Sequence, residues 1–304
     1  MESGTSFNSK LLLFGEYGLM FDAMALSVPF SKFWGELSFD NSGKHLVSNA
    51  EIRKFCNHLK QESVNFSPDF SFNLEKLEAD LGKGMYFDSN IPQQYGVGSS
   101  GALVAALFSR YGKLNDQPPS ANPEILKTLF AKLESFFHGR SSGLDPLISF
   151  LDKPVLIDSK KQITVVDFDF TQAGLAIGLI DTKTTGATGP LVQHFIDRFN
   201  DPEFEQAFES QFIPANNGCI NAIINNYHEL FFNNLTQLIH FQLKYFRRMI
   251  PEQYYPIMGE APGKGIFIKL LGSGGGGFLL AFARSQENLI TFAQQNQLDL
   301  LPIA

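Results

Sequence analysis

The residues with the plainest chemistry lie in IPQQYGVGSSGALVAALF, residues 91–108. Gly96, Gly98 and Gly101 alternate with Val97, Ser99 and Ser100, between a strand-like run at 85–91 and an apolar helix-like run. Glycine has no Cβ, so such a turn lets backbone N–H groups come close to an anion. The helix that follows adds terminal N–H groups and a positive dipole end, both favouring phosphate. The expected chemistry is a cradle for a nucleotide triphosphate. Two other loops share part of the pattern. Read as GxGxxG, the glycines match the dinucleotide fingerprint, which needs an acid at the next strand end about 20 residues on. The nearest acid, Asp116, falls in the polar stretch KLNDQPPSANP instead. A P-loop is excluded, because no Gly-Lys-Ser/Thr follows the glycines. Taken alone, the pattern also fits an ordinary glycine-rich strand–helix turn.

The elements that must position this loop are readable at coarse grain. Apolar runs at 10–14 and 24–30 read as strands separated by a turn-like GEYG. Residues 50–61 have helical spacing, with Ile52, Phe55 and Leu59 on one face. Residues 102–112 continue the loop as a helix. Asn122-Pro123 opens a longer helix to 138, with Leu126, Leu129, Phe130, Leu133 and Phe137 as its apolar face. Strand-like segments follow at 154–158, 162–167 and 175–181, then helical patterns at 190–198, 203–211, 218–227 and 229–247. The chain closes with a strand at 266–271, a glycine turn, a strand at 278–283 and a helix at 286–296.

Composition bounds the class. A chain of 304 residues, 44% apolar with 31 phenylalanines, has ample material for a large core in one large or two intimate domains. A net charge of −7 gives no electrostatic reason to expect nucleic acid or an anionic membrane surface as a partner. Cys56 and Cys219 show no metal-type spacing and read as reduced thiols. The N-terminal MESGTSFNSK has no basic region, and the apolar run after it is interrupted by Glu16 and Asp22. Neither a signal peptide nor a membrane span is expected, and the cytoplasm follows by default.

Three segments in order give the glycine loop a context. The loop Pro92-x-x-x-Gly96-Val97-Gly98-Ser99-Ser100-Gly101-Ala102 resembles the Pro-x-x-x-Gly-Leu-Gly-Ser-Ser-Ala-Ala phosphate loop of the GHMP kinases. Lys10-Leu-Leu-Leu-Phe-Gly15-Glu16-Tyr17-Gly18, running on to Pro29, resembles their first motif, and Lys269-Leu-Leu-Gly272-Ser273-Gly274-Gly275-Gly276-Gly277-Phe278 their third. Glu134-Ser-Phe-Phe-His138-Gly139-Arg-Ser-Ser142-Gly143-Leu-Asp145 resembles the Glu-x-x-x-His-Gly-x-x-Ser-Gly-x-Asp run of mevalonate kinases. The resemblance implies an α+β GHMP kinase fold, with an N-terminal ribosomal-S5-like domain at 1–165 and a C-terminal ferredoxin-like domain at 166–304. ATP would lie in the cleft between them. It implies an ATP- and Mg²⁺-dependent kinase acting on the 5-hydroxyl of mevalonate or a related small hydroxy acid, as monomer or homodimer, with no nucleic-acid or membrane partner.

Roles follow from the same resemblance. Gly96, Val97, Gly98, Ser99, Ser100 and Gly101 would bind the ATP phosphates. Asp145 would be general base on the acceptor hydroxyl, although a helix N-cap before Pro146 competes with that reading. Lys10 would steady Asp145 and the developing alkoxide; the alternative is a solvated lysine at a strand entrance. Ser100 and Glu134 would hold Mg²⁺ through hard oxygens, where an exposed helix glutamate is the commoner fate of that residue type. His138, followed by Gly139, reads as a helix end. Glu16, Tyr17, Thr188, Gly274 and Gly275 would contact the acceptor. The family usually has Pro-Gly before the lysine and His after the glutamate of the first motif; here Asn8-Ser9 and Tyr17 stand there. Gly-Glu-Tyr also occurs in phosphomevalonate kinases. That alternative needs extra cations, for which Arg140 and Lys183 are the nearest candidates. A non-catalytic nucleotide-binding relative is the third reading, disfavoured because Lys10, Ser100, Glu134 and Asp145 are all present.

Overall fold

The computed structural model describes residues 5–62, 70–114, 122–139, 141–170, 174–186 and 188–303. In chain order its strands are β1 (Phe7–Phe14), β2 (Ala25–Phe39), β3 (Phe70–Phe72), β4 (Met85–Ser89), β5 (Gly112–Leu114) and β6 (Val155–Ile157). They continue with β7 (Ile163–Val165), β8 (Ala176–Asp181), β9 (Ile266–Leu270), β10 (Phe278–Ala283) and β11 (Asp299–Pro302). The helices are α1 (Leu46–Glu62), α2 (Leu74–Gly82), α3 (Ser99–Tyr111), α4 (Pro123–His138), α5 (Leu144–Leu151) and α6 (Thr188–Arg198). After them come α7 (Pro202–Ala207), α8 (Ile213–Ile224), α9 (His228–Tyr245), α10 (Tyr255–Glu260) and α11 (Gln286–Gln295). Strands and helices are intermixed as an α+β chain, and no helix among the described residues is long and apolar enough to cross a membrane.

The chain divides into two compact units. The first holds residues 1–10, 29–92 and 98–153; the second holds 11–28, 93–97 and 154–304. This division differs from the single cut at 165 expected from the sequence: β1, β2 and the glycine loop each contribute residues to both units.

In the first unit, β2 pairs antiparallel with β4, from Gly35 opposite Ser89 to Phe39 opposite Met85. Ser9 Oγ donates to Phe30 O at 2.9 Å, tying β1 to β2. Helix α3 is buried without a break from Gly101 to Phe108, because that stretch is apolar on every side. Phe108 meets Phe130 of α4 and Phe150 of α5 edge-on, with centroids 5.2 and 5.5 Å away. Asn122 caps α4 by accepting from the N–H of Glu124 and Ile125, and Pro sits inside its first turn, as expected from Asn122-Pro123. Gly139 ends it at φ 74°, its N–H on Ser135 O at 2.7 Å, the helix stop expected from His138-Gly139.

In the second unit, an antiparallel sheet runs β11-β8-β10-β9. Every residue of β10 is buried, so this central strand reads as an uninterrupted apolar run, FLLAFA. The helices gather the phenylalanines: Phe195, Phe204, Phe208, Phe212 and Phe246 are all essentially inaccessible. A single π turn at Phe208–Phe212 joins α7 to α8 and stacks Phe208 on Phe212 at 4.5 Å.

Candidate active site

The first unit brings together Lys10, the serines of the loop, Glu134 and Asp145. Gly98 caps α3 in the left-handed region, φ 83°. The first helical bond runs from Ala102 N–H to Gly98 O at 3.0 Å, so the N–H groups of residues 99–101 precede the ladder, where an anion is favoured. Lys10 lies inside β1, not at its entrance, and is buried. Its Nζ meets Asp145 Oδ1 at 3.0 Å, with side chains 6% and 31% exposed respectively. A Cβ on Gly98 would lie 2.9 Å from Lys10 Cγ and 3.6 Å from Asp145 Oδ2, which puts this ion pair against the start of α3. A Cβ on Gly101 would lie 2.8 Å from both the backbone carbon and Cβ of Asp145. The family loop has alanine at that place; glycine lets α3 and the start of α5 approach more closely.

Asp145 does not cap its helix. Gly143 is the cap residue of α5, at φ 72° and with no side-chain cap bond, and Asp145 stands inside the first turn. The capping alternative is thereby corrected: the carboxylate gains from the helix dipole but points to Lys10 instead of a backbone N–H.

Glu134 is 4% exposed, so the expected competitor, a solvated helix face, is also corrected. The position lies four residues beyond Phe130 on the apolar side of α4, a signal the periodicity carried. Its Oε1 accepts from Ser100 Oγ at 2.8 Å. Its Oε2 accepts a short hydrogen bond from Ser141 Oγ, which in turn accepts from Gly143 N–H at 2.9 Å. Burial, and after it the charge of Asp145, push Glu134 up to about 7; the bonds from Ser141 and Ser100 and the charge of Lys10 pull the other way. This donor set suits Mg²⁺. It offers hard oxygens, and a cation would offset the strain between two neighbouring carboxylates. Among the described residues no group of three or more His, Cys, Asp or Glu could hold a metal ion. Ser141 was missed by sequence reasoning, since it falls at an open position of the family pattern.

The second unit holds Gly96 and Val97 together with the glycine turn 272–277. A Cβ on Gly277 would sit 2.7 Å from Tyr95 Cα and Tyr95 O, and its φ is 71°. Only glycine permits that approach of the third motif to the front of the loop. Gly275 N–H donates to Met249 O at 2.6 Å, and Gly274 also lies against Met249. Thr188 is the first residue of α6.

Glu16 and Tyr17, expected at the acceptor, are instead engaged within the fold. Glu16 is ion-paired with Lys269, and both side chains are 0% exposed. The Lys269 ammonium also donates to Leu13 O at 3.0 Å and Leu270 O at 2.6 Å, which uses its three hydrogens. Tyr17 adopts φ 59°, donates its hydroxyl to Ser273 O at 2.6 Å and stacks on Phe195 at 4.5 Å. Burial, then the charge of Glu16, push its phenol far above the usual range. Lys183 is held by Asp181 at 2.9 Å and by Asp299. Arg140 lies outside the described residues.

The fold is the GHMP kinase fold: the chain superposes on Streptococcus pneumoniae phosphomevalonate kinase in complex with phosphomevalonate and AMPPNP at a TM-score of 0.65, with 14% identity, covering 99% of both chains. On Methanococcus jannaschii mevalonate kinase the TM-score is 0.63, with 14% identity, covering 99% of this chain and 98% of that one. Residues 52–153 match the GHMP kinases N terminal domain. In sequence the chain is similar to Pyrococcus abyssi mevalonate kinase, 24% identical over 307 aligned residues, covering 94% of this chain and 90% of that protein.

Proposed function

We propose that this chain is an ATP- and Mg²⁺-dependent kinase that phosphorylates the 5-hydroxyl of mevalonate. The observation that carries the reading is the Lys10–Asp145 pair at 3.0 Å, partly open on its carboxylate side and set against the glycine-capped start of α3. Phosphoryl transfer needs the phosphates neutralised and an attacking hydroxyl aligned and relieved of its proton. Residues 96–101 would cradle the phosphates. Asp145 would accept the hydroxyl proton while Lys10 keeps it a carboxylate and stabilises the alkoxide as it forms. Ser100 and Glu134 would hold Mg²⁺, which neutralises charge on the phosphates. Thr188, Gly274 and Gly275 are the remaining candidates for the acceptor side.

The similarity to Pyrococcus abyssi mevalonate kinase along nearly the whole chain supports mevalonate over other acceptors. The phosphomevalonate reading wants an available cation, and Lys183 is already engaged by two carboxylates. A coupled ADP-release assay against mevalonate, phosphomevalonate, galactose and homoserine tests the proposal. The expected outcome is Mg²⁺-dependent turnover on mevalonate. Turnover on phosphomevalonate with none on mevalonate would move the assignment to that substrate, and silence on all four with intact nucleotide binding would favour a non-catalytic relative.

A further inference from the structure

Glu134 has two oxygens with different neighbours. Ser100 engages Oε1 at 2.8 Å from the first turn of α3, the element expected to meet phosphate. Ser141 engages Oε2, and it does so while its own oxygen accepts the N–H of Gly143 at 2.9 Å. Gly143 caps α5, whose first turn carries Asp145. One serine therefore links the carboxylate on α4 to the backbone that sets the base. A glutamate side chain on a helix has several rotamers, and fixing one against a part-buried hydroxyl pair costs conformational entropy. Two hydroxyl donors, one per oxygen, hold a single orientation.

We propose that Ser141 is a positioning residue for the metal: it clamps Glu134 Oε2 and registers it to the Asp145 helix, so that Oε1 and Ser100 Oγ are presented together to Mg²⁺. This rests on the kinase reading above. Outer groups that orient a metal-binding side chain are worth about 10–100-fold in metal affinity. A purely structural serine would instead stabilise the turn through Gly143 N–H and leave the ion unaffected.

The test compares wild type, Ser141→Ala and Ser141→Thr by Mn²⁺ titration of the ADP complex, read by electron paramagnetic resonance, alongside the Mg²⁺ dependence of ATP turnover and the KM for ATP at saturating Mg²⁺. The expected result is a loss of Mn²⁺ affinity of about 10-fold or more in Ser141→Ala, a matching rise in the Mg²⁺ needed for half-maximal rate, and little change in the saturated KM. Ser141→Thr, which keeps the hydroxyl, restores both. Should the alanine variant fail to fold, Ser141→Cys, a weak donor, takes its place against the threonine variant. Wild-type Mn²⁺ affinity in the variant lacking a strong donor overturns the inference, as does an equal loss with threonine. Failure of the wild type itself to take up Mn²⁺ with ADP would sink the kinase reading as well, which separates the two failures.

Discussion

Each unit contains a buried lysine paired with a carboxylate, and the two pairs are built for opposite ends. Lys269 and Glu16 are sealed from solvent, and the ammonium spends its remaining hydrogens on Leu13 O and Leu270 O. Lys10 is nearly as deep, but Asp145 keeps 31% of its side chain open. A pair sealed from solvent cannot exchange a proton with a ligand; it can only hold its elements together. A pair whose carboxylate stays open beside an anion-favouring helix start is poised to receive one. Ion pairs of the same chemistry are thus told apart by what remains accessible on the carboxylate.

The largest effect that sharpens this contrast is at Asp145. Asp145→Asn keeps the shape, and the carboxylate is not the helix cap, so the fold should persist. Loss of a general base costs about 10²–10⁴-fold in rate. The variant is expected to fold and bind ATP, to melt somewhat below the wild type because the buried Lys10 loses its partner charge, and to lose at least about 100-fold in kcat. Near-normal turnover on the accepted substrate would remove Asp145 from the chemistry.

Next comes the sealed pair. Lys269→Met strands Glu16 in the interior, and breaking a buried pair costs about 3–5 kcal/mol. Denaturant unfolding should show that loss directly, while the double variant Lys269→Met with Glu16→Leu should recover most of it, because a matched apolar pair replaces the ions. If the single variant unfolds like the wild type but loses turnover, Glu16 and Lys269 belong with the reactive pair and the contrast collapses.

Much of this was legible in the sequence, for stated reasons. The expected strands at 175–181 and 278–283 and the helix from Asn122-Pro123 appear within a residue or two of their observed bounds, because each combines an apolar period with caps or turns. The motif spacing brought Lys10, Ser100, Glu134 and Asp145 to one cluster. What stayed hidden was decided by packing. Helix α5 is LDPLISFL, only eight residues long, shorter than the window of about 11–18 residues over which a helical period is read. Helix α2 had its signals, an Asn73 cap and buried Leu77 and Leu81, but they went unread. The strands β3 and β5 pair over three residues each, too few for any pattern. Ser141 reaches Glu134 only because Gly139 turns the chain back at the end of α4. Glu16 and Tyr17 were placed by motif alone, and nothing local in GEYG announces a buried lysine 253 residues away.

The smallest expected effect extends the comparison to two buried carboxylates of the first unit, which should titrate with opposite signs. Burial works against ionised Asp80, but hydrogen bonds from Lys83 at 3.1 Å, Tyr111 at 2.9 Å and Arg110 at 3.3 Å prevail and hold it below the usual carboxylate range. A depressed folded value means stabilisation that is present above the unfolded value and lost as pH falls through the folded one. Glu134 meets hydroxyls where Asp80 meets cations, and burial followed by Asp145 pushes it up to about 7. A raised folded value reverses the sign: its contribution is complete below the unfolded value and is lost as pH rises through about 7. Unfolding of the metal-free protein, followed in EDTA across this window, should therefore show stability declining toward neutral pH by on the order of 1 kcal/mol. Glu134→Gln, which stays neutral while retaining an acceptor oxygen, should flatten that decline; Asp80→Asn should leave it intact and instead blunt the fall on the acid side. A decline toward neutral pH that survives in Glu134→Gln would place its origin in another group.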